Sequence, residues 1–123
     1  MTIQSYRDLD VWRRGVDLAV ICHALLKQFP AEERFALTAQ MRRASVSVPS
    51  NIAEGNASGY RALYASSVGR SLGSLAELET QMSLAQRFGY VGAETRPFWA
   101  VSGEVGRMLV SLRQSLTVPL RGG

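Results

Sequence analysis

The sequence predicts an all-α protein, an up-down-up-down antiparallel four-helix bundle. Apolar residues recur at intervals of three and four along four long stretches of the chain, which is the spacing of an amphipathic helix. Short breaks that contain Pro or Gly separate these stretches, so successive helices must lie beside each other in opposite directions. The chain of 123 residues, taken as residues 1–123, makes one domain and is long enough to enclose a core without a metal or a disulfide.

The composition indicates a globular protein of a reducing compartment. Hydrophobic residues make up 46% of the chain and charged residues 20%, the balance of a globular domain. The single cysteine, Cys22, cannot form an internal disulfide, and no apolar run approaches the ~20 residues that a membrane span needs. The N-terminus has no signal-peptide pattern. We therefore expect a cytoplasmic protein that does not associate with membranes.

Residues 8–29 are predicted to form the first helix, which has two apolar stripes. The stripe assigned to the core consists of Leu9, Trp12, Val16, Ala19, Val20, His23 and Leu26. The second stripe consists of Val11, Leu18, Cys22, Leu25 and Phe29. Because an outer helix of a small bundle needs only one buried face, the second stripe predicts contact with another subunit. Val11, Leu18 and Leu25 are therefore candidate residues of an oligomer interface.

Residues 31–57 are predicted to form the second helix. Phe35 and Val46 lie on the side opposite its core stripe and join the candidate oligomer interface. Pro49 has no amide hydrogen to donate to the Ser45 carbonyl, so a kink is expected. The alternation of serine and valine near Val48 would also suit a short strand, but the chain offers no second strand to pair with it. The core stripe consists of Leu37, Met41, Ala44, Val48 and Ile52.

Residues 60–88 and 96–117 are predicted to form the third and fourth helices. Gly59 and Gly89 are suited to the left-handed turns that separate helices. The apolar face of the third helix consists of Val68, Leu72, Leu75, Leu78, Met82 and Ala85. That of the fourth consists of Phe98, Val101, Val105, Met108, Leu109, Leu112 and Leu116.

Four motifs resemble a known family. They are Asp8-Leu9-Asp10-Val11-Trp12, Phe29-Pro30, Gln40-Met41-Arg42-Arg43-Ala44 and Ser47-Val48-Pro49-Ser50-Asn51-Ile52-Ala53-Glu54-Gly55. Together they resemble the four helix bundle protein family, whose members are related to proteins encoded in intervening sequences of bacterial 23S ribosomal RNA. The resemblance implies a homopentamer. It also implies kinship with the accessory protein of diversity-generating retroelements, a pentameric bundle that binds nucleic acid and a reverse transcriptase, but it implies no settled activity.

The most specific of these motifs is interpreted as structural. Asn51 and Glu54 lie off the core stripe, where polar side chains are expected to fix helix ends or subunit contacts, with a functional site as the alternative. The residues interpreted in this way are Pro49, Ser50, Asn51, Ile52, Ala53, Glu54 and Gly55.

The sequence gives little support to catalysis. His23 and Cys22 are neighbours on a helix and point about 100° apart, so they do not form a nucleophile–base pair. One cysteine and one histidine do not make a zinc site within the chain. We therefore expect a protein that is not an enzyme and that has no metal and no cofactor.

Arginines suggest a binding function instead. The net charge is +4, and Lys27 is the only lysine among the 14 basic residues, a bias toward the side chain that binds phosphate in a bidentate way. Four arginines that have no carboxylate three or four residues away in their own helix are predicted to bind RNA or another nucleic acid: Arg42, Arg43, Arg70 and Arg113.

Two alternatives stay open for these arginines. The hairpin of helices two and three also brings Glu77 within reach of Arg43, so a salt bridge within the chain or between subunits would remove the basic patch. The oligomeric surface could equally bind a protein partner, which would make the chain an assembly or adaptor protein.

Overall fold

The structure is a computed structural model that describes residues 5–119. Within that range it contains four long helices and no strand, which confirms the all-α prediction. The helices are α1 (Asp10–Leu26), α2 (Leu37–Ala57), α3 (Arg61–Arg87) and α4 (Arg96–Thr117). Short 3-10 turns precede three of them, at Tyr6–Asp8, Ala31–Glu33 and Ala93–Thr95. The ends of the predicted domain, residues 1–4 and 120–123, lie outside the described range.

The helices pack as a square in which each one contacts two others. Helix α2 lies between α1 and α3, and α4 closes the square against α1 and α3. Helices α2 and α4 therefore occupy diagonal positions, as do α1 and α3. The turn between α2 and α3 passes through Gly59 at φ 78°, and α3 is followed by Gly89 at φ 81°. Both positions favour glycine because an L side chain is strained in this left-handed region.

Helix α2 begins later than the sequence predicted. Residues 31–33 form a separate 3-10 turn, and Ala36 has φ −116° and ψ −107°, outside the helical region. The regular helix therefore starts at Leu37 and not at residue 31. Arg34 and Phe35 consequently belong to the turn that leads into α2.

The predicted interface role of the second apolar stripe of α1 is wrong, and of the stripe assigned to the core only Leu26 is buried. Val11, Leu18 and Leu25, predicted to contact another subunit, are buried in the core of the single chain. On the stripe assigned to the core, His23 is exposed and Val20 is 64% exposed. Periodicity reveals that a helix has two apolar faces, but it does not say which face meets the neighbouring helices.

Small side chains explain why α1 turns this face inward. Gly15 lies on the same side as Leu18, and a Cβ at Gly15 would lie 3.4 Å from the Cβ of Pro49 in α2. The fully buried Cys22 follows two turns later. Residues of this size let the two helix backbones approach closely, which places the neighbouring Leu18 and Leu25 in the core.

Candidate nucleic-acid interface

The side of α2 that faces α3 is held by a row of polar contacts. The hydroxyls of Ser47 and Ser74 are 2.8 Å apart. The Asn51 side-chain amide donates to the Ser47 carbonyl at 2.9 Å and accepts from Arg70 Nε at 3.3 Å. The fully buried Ser71 hydroxyl donates to the Val48 carbonyl at 2.8 Å. Three of these contacts connect α2 to α3, and the one made by Ser71 satisfies a hydroxyl that is fully buried.

Other residues of the same block serve close packing. A Cβ added at Gly55 would lie 2.6 Å from the Cβ of Ser67 in α3, so only glycine fits this crossing without a shift. Ile52 is fully buried in the core, and the buried Pro49 contacts Gly15 of α1. Helix α2 continues through Pro49 from Leu37 to Ala57, which excludes the alternative of a strand, while the predicted kink stays a prediction.

Ser50 and Glu54 differ from the rest of the block because they are exposed. Within residues 5–119 the Glu54 carboxylate has neither an ion pair nor a hydrogen bond, so it fixes no helix end in the single chain. Ala53 is half-buried. The polar contacts expected of this block are thus made by Asn51 and not by Glu54.

The four arginines predicted to bind nucleic acid do not form one patch. Arg113 is exposed on α4, which is diagonal to the α2 helix that carries Arg42 and Arg43. Arg70 is held by the hydroxyls of Ser66 at 3.1 Å and Ser67 at 2.8 Å, in addition to Asn51. Its guanidinium therefore has a structural role between α2 and α3.

Arg42 and Arg43, in contrast, line an open groove on the outer side of α2. Arg34 lines the same groove, and its guanidinium carbon lies 5.2 Å from the centre of the Phe35 ring. The groove has a volume of about 680 Å³ and is lined by Arg34, Phe35, Thr38, Ala39, Arg42, Arg43, Val46, Ser47 and Ser50. We call it the arginine groove.

None of the three arginines has an ion pair or a hydrogen bond from its side chain to any residue in the described part of the chain. The predicted Arg43–Glu77 bridge is absent there, and the Glu77 carboxylate instead accepts from Gln81 at 3.2 Å. The three guanidinium groups around this groove are thus exposed to solvent. A salt bridge between Arg43 and Glu77 of different subunits stays a prediction.

Sequence reasoning did not include Arg34 in the candidate site, although Arg34 also has no carboxylate three or four residues away. A second signal is the run Glu32-Glu33-Arg34-Phe35, in which an aromatic side chain without a core position follows directly on an arginine. Phe35 is 87% exposed. The turn before α2 brings this pair to the end of the arginine groove.

A second, smaller groove lies between α1 and α2. It has a volume of about 270 Å³ and is lined by Val16, Ala19, Val20, His23, Val46, Pro49 and Ser50. Val46, which is 53% exposed, and Ser50 line both grooves, so the two adjoin. Among the residues that the structure describes, no carboxylate lines either groove. We call the combined surface the outer face of α1–α2; it contains Phe35 and Val46, whose role in an oligomer interface stays a prediction.

Cys22 is not a reactive group of this surface. Burial raises the pKa of its thiol to about 11, although Ser45 and the charge of Arg42 act in the opposite direction. The thiol therefore stays protonated at neutral pH, which makes it a poor nucleophile. Within residues 5–119 there is no cluster of three or more potential metal ligands, and no helix is long and apolar enough to cross a bilayer.

Comparison with known proteins agrees with this architecture. The crystal structure of a protein of unknown function from the S23 ribosomal protein family of Bacteroides thetaiotaomicron is similar, with a TM-score of 0.77 and 24% sequence identity. The similarity covers 85% of this chain and 95% of that chain, and it shows a shared fold. No curated protein matches the chain. Residues 7–111 match the model of the 23S rRNA-intervening sequence protein family, and the chain therefore belongs to that family.

Proposed function

We propose that the protein is a homo-oligomer, with five subunits as the family resemblance implies, that binds RNA through the phosphate backbone. The observation that carries the proposal is the arginine groove, where Arg34, Arg42 and Arg43 surround one open surface and have no carboxylate partner in residues 5–119. An arginine already paired with a carboxylate has little to offer a phosphate, whereas these three guanidinium groups are free to bind one.

The groove is suited to binding the charged phosphate backbone and not to recognising the base sequence. Guanidinium groups bind phosphate oxygens in a bidentate way and release the cations condensed on the nucleic acid, which supplies affinity for any sequence. Of the described residues, Phe35 is the only aromatic one that lines the groove, so these residues provide no row of rings on which successive bases could stack. We therefore propose backbone binding with little sequence preference.

Oligomerisation follows from the apolar part of the outer face of α1–α2. Val20, Phe35 and Val46 are large and exposed, and Val46 lines a groove with each of the other two, an arrangement more typical of an interface than of a free surface. A ring would also repeat the arginine groove, so that one RNA could contact several copies and bind more tightly through multivalency. We propose a cytoplasmic binding protein and not an enzyme.

The proposal is tested by measuring the affinity of the purified protein for a short labelled RNA at low salt. Replacing two groove arginines, Arg34→Ala with Arg43→Ala, is expected to weaken binding by about tenfold or more, because each lost phosphate contact contributes roughly 1 kcal/mol. Arg113→Ala is the matched control and should leave the affinity nearly unchanged, since Arg113 lies on the diagonal helix.

Two results would contradict RNA binding. One is the absence of any binding at low salt, and the other is an equal loss of affinity in the Arg113→Ala control. Purification of the protein from its native cells tests the alternative of a protein partner separately. A stoichiometric protein partner that accompanies the chain in place of RNA would favour the alternative of an adaptor protein.

A further inference from the structure

The segment that leads into α2 carries Arg34 but has few attachments to the bundle. We call residues 31–36 the entry turn. All of its side chains are exposed except that of Glu33, which is half-buried. Two backbone hydrogen bonds close the turn, from Arg34 N to the Ala31 carbonyl at 3.1 Å and from Ala36 N to the Glu33 carbonyl at 3.0 Å. These bonds give the turn its shape, but they do not fix its position against the neighbouring elements.

One side-chain hydrogen bond connects the entry turn to another part of the fold. The Tyr90 hydroxyl donates to the Glu33 carboxylate at 2.7 Å. Within residues 5–119 no other side chain of the entry turn has a hydrogen bond or an ion pair, and the Phe35 ring contacts the Arg34 guanidinium of the same turn. The Tyr90–Glu33 bond is therefore the one polar side-chain attachment of the entry turn in this part of the chain.

Tyr90 is itself held from several sides, so it can serve as an anchor. It follows Gly89, whose φ is 81°, and its amide donates to the Ala85 carbonyl of α3 at 3.0 Å. Its ring centre lies 5.4 Å from that of the buried Phe29 and 5.6 Å from that of Phe88. Hydrogen bonding to the carboxylate raises the pKa of the Tyr90 hydroxyl, which therefore keeps its proton at neutral pH. The position of this hydroxyl is set by α3 and by the two rings, and not by the entry turn.

We propose that Tyr90 is a positioning residue of the arginine groove, whose hydrogen bond to Glu33 holds the entry turn where Arg34 can bind phosphate. The inference rests on the proposed function and names a residue outside the groove on which that function depends. Tyr90 does not line the groove, so it has no contact with RNA bound there. It acts only through Glu33 and through the backbone that joins Glu33 to Arg34.

The three arginines of the groove differ in how their backbone is held. Arg42 and Arg43 lie within the regular turns of α2, which restrict their backbone directly. Arg34 precedes Ala36, whose φ of −116° and ψ of −107° lie outside the helical region, so the order of α2 does not extend to the entry turn. Without the bond to Tyr90, RNA binding would have to order this turn as well, and the lost entropy would lower the affinity.

Removal of one hydroxyl tests the anchor. Tyr90→Phe keeps the ring contacts with Phe29 and Phe88, and it should weaken the binding of a short labelled RNA at low salt by about threefold. Amide hydrogen exchange of residues 31–36 should become faster in the same variant. Tyr60→Phe is the matched control, because it removes the same group from an exposed tyrosine beyond the opposite end of α2. It should leave both measurements unchanged.

A second pair of variants separates the hydrogen bond from the charge of Glu33. Glu33→Gln and Glu33→Ala both remove the negative charge, but only glutamine keeps a side-chain oxygen that can accept from Tyr90. Glu33→Gln should therefore bind RNA about threefold more tightly than Glu33→Ala. Equal affinities of these two variants would overturn the proposed role of the hydrogen bond.

A double-mutant cycle shows whether Tyr90 acts through Arg34. In an Arg34→Ala background, Tyr90→Phe should cause no further loss of affinity, because no guanidinium is left to position. A loss of the same size in both backgrounds would indicate a general effect on the fold and would overturn the inference. Wild-type affinity in Tyr90→Phe would also overturn it, while RNA binding through the groove would stand. A wild-type protein that does not bind RNA at low salt would overturn the proposed function and this inference together.

Discussion

The two sides of α2 differ in whether their polar side chains have hydrogen-bond partners within the chain. On the side facing α3, Asn51 and Ser71 have partners within the chain, and even the guanidinium of Arg70 is bound. On the outer side, Arg42 and Arg43 have none among the described residues. Polar groups on the inner side are therefore needed for the fold, while those on the outer side are available to a partner. Substitutions on the two sides should consequently affect different measurements.

The largest effect on stability is expected at Gly55. A Cβ at this position would lie 2.6 Å from that of Ser67, so Gly55→Ala should force α2 and α3 apart and lower the free energy of unfolding by about 1–3 kcal/mol. Gly69→Ala is the control, because its Cβ would meet nothing within 4 Å and a helical alanine is more stable than glycine by up to about 1 kcal/mol. Urea denaturation measures both. A Gly55→Ala variant as stable as the wild type would show that this crossing is not tight.

A smaller loss is expected at Ser71. Ser71→Ala removes the buried hydroxyl that donates to the Val48 carbonyl, which should cost about 1 kcal/mol of unfolding free energy. Ser83→Ala changes an exposed serine of the same helix and should stay within about 0.5 kcal/mol of the wild type. Equal effects of the two substitutions would mean that the polar row between α2 and α3 adds nothing to the fold.

The ion pair between α1 and α4 is another charged contact within the fold. Its pH dependence can be compared with that of an unpaired arginine of α2. Arg14 donates to the Glu104 carboxylate at 2.7 Å, and this contact holds the pKa of Glu104 below its usual value. A carboxylate with a lowered pKa in the folded state stabilises the protein above its unfolded pKa, and that contribution is lost as the pH falls through the folded pKa.

Glu104→Gln should therefore lower the unfolding free energy slightly at neutral pH, by less than Ser71→Ala because both charged groups are partly exposed. The difference from the wild type should shrink and vanish as the pH falls through the lowered pKa of Glu104. Arg43→Gln should show no such pH dependence, since Arg43 has no carboxylate partner within the described residues. If Glu104→Gln remains less stable than the wild type in acid, the loss of unfolding free energy would come from packing and not from charge.

Local patterns predicted the helices well, but they did not predict how the helices are oriented. Apolar spacing located α3 and α4 closely, and Gly59 and Gly89 marked the left-handed turns. Spacing could not tell which stripe of α1 is buried, because that depends on the close contact between Gly15 and Pro49 of another helix. The start of α2 depends on the backbone angles of Ala36, and an alanine in the sequence does not predict such angles.

The candidate site was predictable only in part, for a related reason. Searching for nearby carboxylates pointed to Arg42 and Arg43, which are unpaired among the described residues, and their binding to nucleic acid stays a prediction. The same search could not recognise that hydroxyl and amide groups bind Arg70, since Ser66, Ser67 and Asn51 carry no charge. Arg113 required knowledge of which helices are diagonal, and this emerges only when the four are packed together.

The central claim is that the outer side of α2 binds a polyanion and is dispensable for folding. Its most direct test is the salt dependence of RNA affinity, measured for the wild type and for Arg34→Ala with Arg43→Ala, beside urea denaturation of both. We predict that the slope of log affinity against log salt concentration falls by about 0.7 for each arginine removed per bound chain, while the unfolding free energy stays within about 0.5 kcal/mol. An unchanged slope, or a variant that loses RNA only because it unfolds, would contradict the claim.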